Sequence, residues 1–191
     1  MNVLTDKFPT KIKIDDTIYE INADFRNCLK IIMAFEDDDL AEMDKYEVLV
    51  RRLYKTVPHN FEKAVERGVQ FLDCGEERNY NMARNSGSSE KRVYKFSKDG
   101  RYIYSAIKQT HNVDLEAVEF LHWWKFVFLF SDVKEGCAFS NMVYLRHKKN
   151  EGKLTKEERA IFNKSRALLD INYDDKPSEE ERDFMRLLQG G

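Results

Sequence analysis

The sequence predicts a mainly α protein with a short N-terminal β-hairpin, an α+β chain dominated by helix, and three features carry that prediction. Apolar residues recur at helical spacing in one segment after another, most of them opened by a capping residue. The 191 residues include only 3 prolines and 8 glycines beside 42% hydrophobic and 35% charged residues, a composition of helices with solvated outer faces. The single stretch of strict alternation lies near the start, at residues 11–21. The expected architecture is a multi-helix globular domain around one central aromatic helix.

Residues 11–21 read KIKIDDTIYEI. Ile12 and Ile14 share a face of the first run, Ile18 and Ile21 are the apolar ends of the second, and Asp15-Asp16 is the polar break. Two strands alone are marginal in water, so the hairpin must lie on something. Asn22 or Asp24 can cap a helix through Phe25, Leu29, Ile32 and Phe35, ending at a solvated acidic tip, residues 36–39. A second helix is expected to open at Asp44, place Tyr46, Leu49, Val50, Leu53 and Tyr54 on one face, and stop at Pro58. A third opens at Asn60, carries Phe61, Ala64, Val65 and Val69, and closes at Cys74-Gly75.

Residues 73–92 change character, with Asn, Ser, Gly and Arg in place of aliphatic residues. They divide the chain into residues 1–72, a polar linker or mobile loop at 73–92, and a helical region at 93–191, unless the loop is an excursion within one continuous domain. Beyond it, Asp99 can cap a helix with Tyr102, Ile103, Ala106 and Ile107 that ends at His111-Asn112. Residues 97–100 lack most of the ligand positions of a calcium loop.

The central helix is expected over residues 115–130, LEAVEFLHWWKFVFLF, which hold both tryptophans of the protein. Glu119, His122 and Lys125 recur at steps of three and would make one polar stripe along an apolar cylinder. With those charges, the run is too short for a membrane span of about 20 residues. A further helix from Ala138 to Arg146 follows, with the basic stretch 146–149 as its solvated end. Thr155 and Glu158 match a capping box, opening a helix with Ile161, Phe162, Ser165, Leu168 and Leu169. A second box at Ser178 opens a short terminal helix, and the last residues are expected to fray.

Composition also limits function. Lys and Arg number 32 and Asp and Glu 34, a net charge of −2 with no domain-wide basic excess, which argues against nucleic acid as partner. Cys28, Cys74 and Cys137 form no C-x-x-C pair, so neither a disulfide framework nor zinc is expected. The N-terminal residues contain no apolar segment of signal-peptide type, so the protein is expected to stay in the cytosol. No histidine pair, phosphate loop or nucleophile elbow occurs, and a non-enzyme without catalytic, cofactor or metal residues is expected.

The second half then resembles a known family. Tyr94, Phe96 and Asp99 are followed by Tyr102-Ile103-Tyr104-Ser105-Ala106, Val113-Asp114-Leu115, Leu121-His122-Trp123-Trp124-Lys125-Phe126 and a helix ending in Arg146. This order is similar to the siphophage gene-product-fifteen family, encoded among the tail genes of phages and prophages of Gram-positive bacteria. The resemblance implies a tail assembly chaperone that binds the tape-measure protein and brings tail-tube subunits to it. Weak self-association follows from many copies along one rod. It implies residence in the bacterial cytoplasm, absence from the mature virion, and no membrane or nucleic-acid partner. The alternative is a structural tail component retained in the virion. As core or partner-binding positions it singles out Tyr102, Tyr104, Leu121, His122, Trp123, Trp124, Phe126 and Arg146.

Overall fold

A computed structural model of the chain describes residues 2–76 and 92–171. Most of the expected linker and the expected terminal helix at Ser178 lie outside the described residues. The chain divides into two compact units, Met1–Asn141 and Met142–Gly191.

In the first unit β1, Lys11–Ile14, pairs antiparallel with β2, Thr17–Glu20, with Ile12 opposite Tyr19 and Ile14 opposite Thr17. Asp15 makes the turn with a φ of 52°, a conformation that aspartate tolerates better than most residues. Ile14 is buried, whereas Ile18 stands opposite Lys13 and is 64% exposed. The hairpin rests on the end of α2 and on α3. Ile21 forms an isolated bridge with Tyr54, and the Tyr54 hydroxyl donates to the Ala64 carbonyl at 2.9 Å.

Among the described residues five helices follow in this unit: α1 Phe25–Glu36, α2 Glu42–Leu53, α3 Phe61–Leu72, α4 Phe96–His111 and α5 Trp123–Ser131. Asp24 and Asn60 cap α1 and α3 through their side chains, as the sequence suggests. Helix α2 starts before Asp44 and ends well before Pro58, because Tyr54 leaves helical geometry to pair with Ile21. Helices α2 and α3 meet at Gly68, where a Cβ would stand 2.5 Å from Leu49 Cδ2. α1 packs against α2, α4 and α5.

The expected acidic tip is only partly solvated. Asp37, Asp38 and Asp39 are exposed, but Glu36 turns inward. Its carboxylate accepts the amide N–H groups of Phe96 at 2.8 Å and Ser97 at 3.1 Å, the first orphan donors of α4. With this anion at its N-terminus the helix begins three residues before the expected cap, and Asp99 bonds back to the Lys95 amide from within the first turn.

The central helix is also shorter than expected. His122 has φ −59° and ψ 138°, so α5 begins at Trp123, and Glu119 and His122 belong to the approach rather than to a helical stripe. The cause is tertiary. Phe25 N–H donates to the Leu121 carbonyl and Trp123 N–H to the Ala23 carbonyl, which holds residues 121–123 extended beside residues 23–25. Arg26 takes the Leu115 and Val118 carbonyls at 2.7 Å each, the acceptors that a helix there would use. Phe120 is left 58% exposed on that approach.

α6, Ala138–Asn150, crosses the division between the units and runs through the basic stretch instead of ending before it. In the second unit the capping box at Thr155 opens α7, Lys156–Lys164, and Ser165 separates it from a last turn, α8, Arg166–Leu169. Arg146, expected at a solvated helix end, is buried. Its guanidinium donates to the Leu169 carbonyl at 2.8 Å and the Leu168 carbonyl at 2.9 Å, closing the end of α8.

Candidate functional site

The tryptophan motif forms a clasp that joins three distant segments. Trp123 Nε1 donates to the Leu72 carbonyl and Trp124 Nε1 to the Phe71 carbonyl, each at 2.8 Å, so both indoles satisfy carbonyls at the C-terminal end of α3. Gly75, at φ 82°, lets that chain end turn back. A Cβ there would stand 3.1 Å from Trp124. Leu121 is buried and its N–H donates to Asp24 at 3.3 Å.

His122 is the pivot of the clasp. Its Nδ1 accepts the Trp124 amide N–H at 3.1 Å, which requires the proton on Nε2, and Nε2 lies 3.0 Å from the Pro9 carbonyl it donates to. Burial holds the imidazole below its ordinary pKa, and the Pro9 carbonyl opposes that shift. His122 is therefore a neutral N-cap and a tie to the N-terminal segment, where Phe8 packs on its ring at 5.0 Å. Phe126 lies deeper still, stacked on Phe25 at 5.0 Å and Trp123 at 5.6 Å.

One side of Phe126 faces a cleft. Between α1 and α4 an opening of about 280 Å³ is walled mainly by Phe25, Leu29, Met33, Phe96 and Ile103, with Phe126 at its floor. The polar side chains in its lining are those of Arg26, Glu116 and Tyr104. The Tyr104 hydroxyl donates to Asp114 at 2.7 Å and Lys108 donates to the same carboxylate at 2.8 Å. The Lys108 hydrogen bond and then the Tyr104 one hold Asp114 well below the usual carboxylate range, and Asp114 in turn raises both partners. Gly100 lines the same cleft, inside α4, with nothing within 4 Å of where its Cβ would stand. Helix geometry does not call for glycine there, and the position leaves an unobstructed approach over an apolar floor.

The structure thus separates the singled-out residues. Leu121, His122, Trp123 and Trp124 build the clasp, and Phe126 and Tyr104 border the cleft. Tyr102 sits under the Arg101 guanidinium at 4.6 Å, and Arg146 belongs to the second unit. Sequence reasoning missed Arg26, Glu36, Met33 and Gly100. Only Gly100 left a signal, an isolated glycine inside a helical pattern.

Cys28 is buried, and loss of hydration pushes its thiol far up. Cys74, half-buried, is pushed up to about 12 mainly by burial. Among the described residues no group of three or more His, Cys, Asp or Glu side chains could hold a metal ion. No helix among them is long and apolar enough to cross a membrane.

A family model described as "Bacteriophage Gp15 protein" matches residues 4–171. No curated protein and no solved structure matches the chain.

Proposed function

We propose that this chain, which belongs to the bacteriophage Gp15 family, is a tail assembly chaperone, a binding protein without catalysis that holds the tape-measure protein and brings tail-tube subunits to it. The observation that carries the reading is the cleft between α1 and α4: an almost wholly apolar opening lined by residues of both helices. Such a groove takes the anchor side chains of an amphipathic helix, spaced three and four residues apart. Met33 gives one wall an adaptable side chain, which suits a partner that presents many similar but unequal segments. A tape-measure protein is long and helical and offers such segments along its length.

The test is co-expression with the tape-measure protein encoded by the same phage or prophage. Its soluble yield should rise, and the two chains should purify together. Gly100→Leu should plug the cleft without touching the core, because open space surrounds the position. That variant should fold normally and lose the effect. Unchanged tape-measure solubility with the wild-type chain would count against the chaperone role. Recovery of the protein from purified virions by mass spectrometry would favour a structural tail component instead.

A further inference from the structure

The hairpin leaves one strand edge open. Ile21 N–H donates to the Thr10 carbonyl at 3.0 Å, so alternate residues of the first strand, Thr10, Ile12 and Ile14, exchange hydrogen bonds with β2. The N–H and C=O groups of Lys11 and Lys13 therefore point the other way. Among the described residues the sheet has two strands only, and the isolated bridges lie elsewhere. Instead of meeting a third strand, this edge borders a cleft of about 620 Å³, with α3 as its far wall and Phe71 and Trp124 in its lining. Asp15, bonded to Lys63 and to Asn60 at 3.2 Å, pins the hairpin tip to α3 at one end. Pro9 lies at the other.

We propose that the free edge of β1 is a strand-addition site, which takes an extended partner segment of alternating acidic and apolar residues. An exposed pair of backbone donors and acceptors in strand geometry is matched by another extended backbone. The side chains specify the rest. Lys11 and Lys13 project from one face, 58% and 65% exposed, and among the described residues their carboxylate neighbours stand at 3.8 Å (Glu20) and 4.0 Å (Asp16). An incoming strand thus gains by placing Asp or Glu opposite them. On the other face Ile12 and Ile14 line the cleft, whose α3 wall also carries Lys63, Glu66 and Arg67, so apolar incoming residues are favoured directly opposite the two isoleucines. A second copy of this chain is disfavoured by the same charges. Only residues whose backbone points outward can pair across the new edge, so antiparallel pairing within two β1 strands sets lysine against lysine. The site is separate from the cleft between α1 and α4 and does not depend on the chaperone reading.

The experiment is amide hydrogen exchange by NMR on the full chain with a synthetic peptide alternating glutamate and valine. The Lys11 and Lys13 amides should slow by about tenfold or more on binding, while those of Ile12 and Ile14, already bonded to β2, change little. A peptide alternating lysine and valine should bind about tenfold more weakly, and the double variant Lys11→Glu/Lys13→Glu should reverse that preference. Lys13→Pro removes one outward donor without touching the β1–β2 ladder and should weaken binding of the glutamate peptide. Where that variant fails to fold, Lys11→Glu/Lys13→Glu decides alone. Absence of protection at Lys11 and Lys13, or equal binding of the two peptides, would overturn the proposal. So would protection that grows with protein concentration without peptide, since the occupant would then be a second copy.

Discussion

His122 and Trp124 are joined through the backbone: the imidazole Nδ1 of one accepts the amide N–H of the other at 3.1 Å, at the point where the approach becomes helix α5. That bond survives only while Nδ1 is unprotonated. Burial holds the folded pKa below the ordinary value of 6.5, so the unfolded chain takes the proton first as pH falls. The contribution of His122 to stability is present above pH 6.5 and is lost as acid protonates the unfolded chain and then the folded one. Urea midpoints between pH 7 and 5 should fall more steeply for the wild type than for His122→Asn, whose amide oxygen can still cap the helix. Equal slopes would show that His122 contributes nothing to acid sensitivity.

Both indoles are buried and hydrogen-bonded to the end of α3. Trp123→Ala and Trp124→Ala should each cost about 3–5 kcal/mol in denaturant unfolding, a large share of a domain's stability. Trp124→Phe keeps most of the buried ring and removes one donor from the Phe71 carbonyl, which still accepts the Cys74 N–H at 3.1 Å, and should cost about 0.5–1.5 kcal/mol. A tryptophan variant of wild-type stability that lost partner binding would instead make the motif a contact surface.

Glu36 holds the start of α4 from a position 60 residues earlier in the chain. Glu36→Ala should destabilise by about 1–3 kcal/mol, because the Phe96 amide is buried and would lose its acceptor. The loss should show as faster amide exchange at Phe96 and Ser97. Exchange unchanged at both positions would mean that another group caps the helix.

Two helical glycines should respond in opposite directions. Gly68→Ala forces a methyl against Leu49 and should cost about 1–3 kcal/mol. Gly100→Ala meets nothing and should stabilise by about 0.5–1 kcal/mol through helix propensity. Thermal melts of the two variants separate a glycine required by packing from one that packing does not require.

The hairpin, the Asn60 cap, the Thr155 capping box and the close of α3 at Cys74-Gly75 were legible because each depends on residues within one or two turns of one another. Local alternation and local capping need no knowledge of what lies across the core. The misread features share the opposite property. Glu36 looked like part of a solvated tip, Arg146 like a solvated helix end, and Glu119, His122 and Lys125 like a stripe on one helix. In each case a partner far along the chain takes the side chain or the backbone: Phe96 and Ser97 for Glu36, Leu168 and Leu169 for Arg146, and residues 23–26 for the approach to Trp123.

By itself, then, the sequence determined the helix-dominated class, the position of the hairpin and the family to which the aromatic motif belongs. Spacing and capping act over a few residues, and a motif is read residue by residue. Only the tertiary structure decided that the two tryptophans face inward as a clasp, that Phe126 floors a cleft between α1 and α4, and that β1 keeps a free edge. Those outcomes depend on which buried backbone groups find partners, and a buried carbonyl or amide is satisfied by whatever the fold brings beside it.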